Sequence, residues 1–116
     1  MSLIRRIQQV LTPDLLVGRW KKQTHPLEGH CYIATEALYH LLSDKENWKP
    51  MCASYTDEEG KATHWWLVNR NTGRILDPTK EQYLPDEPPY HLGWGTGFLT
   101  KKPSKRAQVI IDKLAT

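Results

Sequence analysis

Cys31, His64 and Asp77 stand in that order along the chain, in the segments GHCYIATEALYHLL, THWWLVNR and RILDPT. Together they hold the parts of a nucleophilic acyl-transfer site. A thiolate attacks a carbonyl, an imidazolium protonates the leaving group, and a carboxylate fixes the imidazole tautomer. Cys31 opens an apolar run at helical spacing. In the first turn of a helix, unpaired backbone N–H groups and the helix dipole favour an anion and lower a thiol pKa. A neighbouring imidazolium lowers it further. Gly29 lets the chain turn tightly into the helix and leaves space above the sulfur.

The elements that must position these residues follow from spacing. Cys31, Ala34, Leu38, Leu41 and Leu42, with Ile33 and Ala37 beside them, form one broad apolar helical face. Three strands are predicted after it, at Pro50–Tyr55, Ala62–Arg70 and Arg74–Pro78, punctuated by the turn-forming segments DEEGK and NRNTGR. Alternation places His64, Trp66 and Val68 on one face of the second strand, with Trp65 and Leu67 on the other. If Arg70 lies opposite Gly73, Trp66 faces Asp77 and His64 becomes its diagonal neighbour. An imidazole–carboxylate hydrogen bond is then within reach. A slip of one residue would break this arrangement.

Around this core, Ile4, Ile7, Val10 and Leu11 predict a first helix, and Thr12-Pro13 starts a second towards Trp20, so helices fall within 3–20. Residues 81–97 are rich in Pro, Gly and aromatics. They read as a long loop packed down by its own side chains, with GWGTGF as a turn or substrate-lining stretch. A closing helix spans 103–115, and Ser104 resembles its start. The reading is a single α+β domain over residues 1–116, with a nucleophile helix packed on a small antiparallel sheet.

At this point the residues resemble a family. Gly29-x-Cys31 opening a helix, His64 followed by two tryptophans in a strand, and Leu76-Asp77-Pro78-Thr79 closing the next strand are similar to the transglutaminase-like branch of the papain-like cysteine enzymes. The likeness covers roughly residues 29–80. It implies a papain-like/transglutaminase-like core, with Cys31 as nucleophile, His64 as general base and acid, and Asp77 as orienting carboxylate. It also implies an oxyanion hole made by the Cys31 N–H with Gln23 as second donor, and a substrate approach lined by Gly29, His30 and Trp66. The chain also resembles small bacteriophage-encoded proteins, which says little about substrate.

Composition bounds the alternatives. With 39% hydrophobic and 25% charged residues the chain has ordinary globular usage. No run approaches the ~20 apolar residues of a membrane span, and MSLIRRIQQVL lacks the continuous apolar core of a signal peptide. A cytoplasmic location follows as the expectation, the host's cytoplasm if the chain is phage-encoded. Two cysteines make no disulfide framework, and Cys52 is expected in the core. His25, His30, His40 and His91 match no zinc spacing around Cys31, so neither metal nor other cofactor is expected. The termini are basic around an acidic middle. This reads as a solvated surface, with no nucleic-acid-binding motif.

The expected activity is hydrolysis or acyl transfer at an amide, isopeptide or thioester bond of a protein or peptide-like substrate. A second reading stays open: a non-catalytic binding or inhibitory module that engages a host protein or nucleic acid through its cleft and basic ends.

Overall fold

The computed structural model describes residues 2–11, 30–57, 60–83, 86–97 and 102–115. Four antiparallel strands form one sheet in the order β3-β2-β1-β4: β1 Trp48–Asp57, β2 Gly60–Asn69, β3 Ile75–Leu76 and β4 Trp94–Gly95. The described helices are α1 Leu3–Gln9, α2 Cys31–Leu41 and α3 Lys105–Ala115. This is an α+β architecture. No described helix is long and apolar enough to cross a membrane.

All three helices pack on one face of the sheet. Ile7 of α1, Ile33, Ala34, Ala37 and Leu38 of α2, and Ala107 and Ile110 of α3 close around Trp48 and Leu67. The apolar face expected of α2 is therefore the one that is buried. Ser2 caps α1 by accepting from the Arg5 N–H. The cap of α3 is shared: Ser104 Oγ accepts from the Ala107 N–H at 3.3 Å and donates to the fully buried Glu36 of α2 at 2.7 Å. The Ser104 N–H also reaches the Glu36 carboxylate, at 3.1 Å. One carboxylate thus ties the start of α3 to α2, and buried polar groups satisfied in this way add little penalty.

The turn between β2 and β3 sets the register on which the site depends. Asn69 Oδ1 accepts from the Asn71 and Thr72 N–H groups at 2.9 and 3.0 Å, and Gly73 follows at φ 77°. An Asx turn closed by a left-handed glycine matches the twist of the flanking strands. Leu67 pairs with Leu76 and Val68 with Ile75, the register expected from Arg70 lying opposite Gly73.

Strands β1 and β2 run about two residues beyond their expected starts, and further differences bear on the site. Helix α1 ends at Gln9 rather than Leu11. Strand β3 stops at Leu76, two residues short of Pro78. The Asp77 carboxylate captures the Thr79 N–H at 3.1 Å and bends the chain away. The expected loop over 81–97 holds structure of its own. It contains parts of two 3₁₀ turns, Lys80–Tyr83 and Tyr90–Leu92, and the two-residue strand β4, which pairs Gly95 with Met51 and Trp94 with Cys52. Glycine makes that docking feasible, because a Cβ at Gly93 would lie 2.5 Å from the Trp66 ring. The helix expected from Pro13 towards Trp20 lies outside the described residues.

Gly93→Ala is accordingly expected to cost about 1–3 kcal/mol, since the ring it meets is buried and cannot retreat. Urea denaturation of this variant against wild type checks it.

Candidate active site

Strand geometry explains where Cys31 sits. In an antiparallel strand, backbone groups of residues two apart point towards the same neighbour. Asn69 and Leu67 turn theirs to the β3 side, as the Asn69 N–H to Arg74 carbonyl bond shows. Trp65 and Thr63 must do the same, but β3 ends before reaching them. The start of α2 fills the gap. Thr35 Oγ1 donates to the Trp65 carbonyl at 3.1 Å, and the Cys31 thiol donates to the Thr63 carbonyl at 3.5 Å. Cys31 is the first residue of α2, and His30 at the N-cap makes no side-chain cap hydrogen bond. The nucleophile candidate therefore lies against the open edge of β2, one residue from His64.

On the sheet face opposite the helices, His64 and Asp77 meet as the register requires. His64 Nε2 and Asp77 Oδ2 lie 2.6 Å apart, both side chains fully buried. The carboxylate is a sink for three donors: the imidazole, the Thr79 N–H on Oδ1, and the Tyr90 hydroxyl, which donates to Oδ2 at 2.8 Å. Because a carboxylate only accepts, the imidazole proton belongs on Nε2, and Nδ1 carries the lone pair of the neutral ring. Nδ1 is buried with no hydrogen-bond partner among the described residues. A free lone pair on the ring edge away from Asp77 is what a general base requires.

Aromatic rings hold the imidazole in place. Trp66 stacks on it at 5.6 Å, Tyr83 meets it edge-on at 4.9 Å, and Tyr90 packs on Trp66 at 5.0 Å. The Tyr83 and Tyr55 hydroxyls lie 2.8 Å apart. Burial drives the phenols of Tyr83 and Tyr90 well above the ordinary tyrosine range, so both stay protonated. The two tryptophans divide as expected: Trp65 packs edge-on against Tyr32 of α2 at 4.8 Å, while Trp66 builds the site's face.

The thiol departs from expectation. Burial pushes the Cys31 thiol up to about 12, and the Asp77 charge adds to this. The Trp65 and Tyr32 backbone N–H groups act in the opposite direction but do not offset it. Only 9% of Cys31 is exposed. The helix N-terminus here is not an open anion site but a plug in the sheet edge, so desolvation outweighs the dipole. Cys52 is likewise buried, with its thiol raised by burial.

The expected site residues fall into three groups. His64 and Asp77 come together just beyond the end of β3, while the Cys31 thiol sits at the edge of β2 on the Thr63 carbonyl rather than on His64. Trp66 and His30 are buried at 2% and 0% exposure, so they are interior packing and not an open substrate wall. Gln23 and Gly29 lie outside the described residues. Sequence reasoning missed Thr79, Tyr83, Tyr90 and Gly93. Aromatics within a Pro-rich loop signal that the loop packs down, but not onto what.

A cleft of about 580 Å³ opens beside the acid, between Ile4, Ile75, Leu76 and Pro88, and reaches Asp77 and Tyr90. Among the described residues, no three His, Cys, Asp or Glu side chains converge as a metal site would require. Comparison with protein-family models, with curated proteins and with solved structures finds no match.

Proposed function

We propose that this protein is a small cysteine hydrolase or acyltransferase acting on an amide, isopeptide or thioester bond, with Cys31, His64 and Asp77 as its triad. The observation that carries the reading is the buried 2.6 Å His64–Asp77 pair, formed beside a cysteine that opens a helix. A transglutaminase-like core fits the same observations: a nucleophile helix abutting an antiparallel sheet, with the acid just beyond the strand that neighbours the histidine strand.

The chemistry follows from the tautomer. The resting thiol is protonated and bonded to Thr63. When an acyl carbonyl arrives, Sγ leaves that carbonyl and its proton passes to His64 Nδ1 while sulfur attacks the acyl carbon. Asp77 stabilises the imidazolium formed. The Cys31 N–H, the first of its helix and without an acceptor inside it, is the donor this reading assigns to the developing oxyanion. Nδ1–H then protonates the departing amine or thiol, leaving a thioester on Cys31. Water or an amine, deprotonated by Nδ1, resolves it.

A second reading has an observation in its favour. A thiol raised to about 12 and bonded to a backbone carbonyl is how an inert, packing cysteine looks. On that reading the protein is a non-catalytic module that engages a partner through its basic ends, where Lys102 and Lys105 are exposed. Turnover of a panel of thioester and anilide acyl donors separates the two. Catalysis requires loss of turnover in Cys31→Ala and His64→Ala, with Lys102→Glu/Lys105→Glu unaffected. Turnover equal in all variants would sink it.

A further inference from the structure

We propose that Tyr90 is a positioning residue for His64, acting through Asp77, and that the Pro- and Gly-rich segment around it serves to deliver this hydroxyl. The catalytic meaning rests on the reading above, but the geometry stands without it. Tyr90 and His64 place their donors on the same oxygen, Asp77 Oδ2, at 2.8 and 2.6 Å. One oxygen shared between two donors gives each less than it would give one alone. The phenol thus limits how firmly the carboxylate holds the imidazole and stabilises its protonated form.

The placement of Tyr90 is over-determined. Its N–H donates to the Pro88 carbonyl at 2.8 Å, and its carbonyl accepts from the Gly93 N–H at 3.0 Å. Its ring packs on Trp66, whose far edge is covered by Gly93. The hydroxyl stays a donor, because burial and the Asp77 charge both oppose its ionisation. The titratable groups facing this assembly are Cys31 from α2, Tyr55 from β1, Asp77 beyond β3, and Tyr83 from its 3₁₀ turn, while Glu81 and Glu87 add negative charge near Tyr90. Among the described residues, Tyr90 is the side chain that shares Asp77 Oδ2 with His64.

The test is an NMR titration of the His64 imidazole in the intact protein. Tyr90→Phe removes the competing donor while keeping the ring, and its midpoint is expected to rise by about half a pH unit or more. Site-specific Tyr90→3-fluorotyrosine strengthens the donor and is expected to move the midpoint down. Tyr55→Phe removes a hydroxyl from the same aromatic cluster without touching Asp77, and should leave the midpoint in place. An unchanged or lowered midpoint in Tyr90→Phe, or an equal shift in Tyr55→Phe, overturns the proposal. Because the imidazole itself is observed, the result is independent of turnover. A shift without any acylation of Cys31 would retain the role of Tyr90 and overturn the catalytic reading. Acylation without a shift would do the reverse.

Discussion

Asp77→Ala is expected to lower stability by about 3–5 kcal/mol, because it strands three donors at once, those of His64 and Thr79 on fully buried residues. The His64 Nε2–H, the Tyr90 hydroxyl and the Thr79 N–H all converge on this carboxylate, and the His64 and Asp77 side chains are fully buried. Such a loss is a large fraction of the roughly 5–15 kcal/mol that holds an ordinary domain together. Asp77→Asn separates the structural from the chemical consequence. An amide keeps the shape and one acceptor oxygen, so the loss of stability should be much smaller. It can also turn its NH₂ towards the imidazole, which forces the proton onto Nδ1 and removes the base. Acyl-transfer rate should then fall by about 10²–10⁴ while the fold persists. Urea denaturation of both variants, with rates for the second, checks the pair of effects. A stable, fully active Asp77→Asn would contradict it.

The second large effect concerns Cys31 and has a definite sign. With the thiol raised to about 12, about one molecule in 10⁴ carries the thiolate at pH 8. Alkylation of Cys31 by iodoacetamide should therefore be slow at neutral pH and rise about tenfold per pH unit well beyond pH 9, with no early plateau. The same shift is a stability statement. Above the ordinary thiol pKa the unfolded chain loses its proton while the native one keeps it. The native state then binds more protons, and stability falls as pH rises through this window, by up to about 1.4 kcal/mol per unit. Below the window the contribution is fully present. Cys31→Ala should flatten that part of the stability–pH profile relative to Cys52→Ala. A Cys31 alkylation plateau below pH 8 would show instead that an ion pair with His64 already exists at rest.

These two effects also mark where the sequence was informative. The His64–Asp77 contact is legible because it depends on a register, and the register depends on a short turn whose chemistry is local: Asn69 closing on Asn71 and Thr72, then Gly73 in the left-handed region. Helix α2 is legible because its apolar spacing and its buried face coincide. The state of the thiol is not. It depends on β3 stopping at Leu76, so that α2 rather than a strand meets the edge of β2 at Thr63 and Trp65. A helix start in sequence does not reveal whether it faces water or a strand. Tyr90 is equally illegible, since its bond to Asp77 depends on Gly93 fitting against Trp66, a close approach between residues 27 apart in the chain.

The reading of this protein as a cysteine acyl-transfer enzyme meets its most direct test in the fate of one sulfur atom. Treating the protein with p-nitrophenyl acetate, a donor small enough for a largely buried thiol, and mapping the acetyl group by peptide mass spectrometry would locate any covalent intermediate. The expected result is a thioester on Cys31, absent in Cys31→Ala, retained in Cys52→Ala, and formed at least about 10²-fold more slowly in His64→Ala. No acetyl on Cys31, or acetylation at the same rate without His64, would contradict it and leave Cys31 as packing at the edge of a sheet.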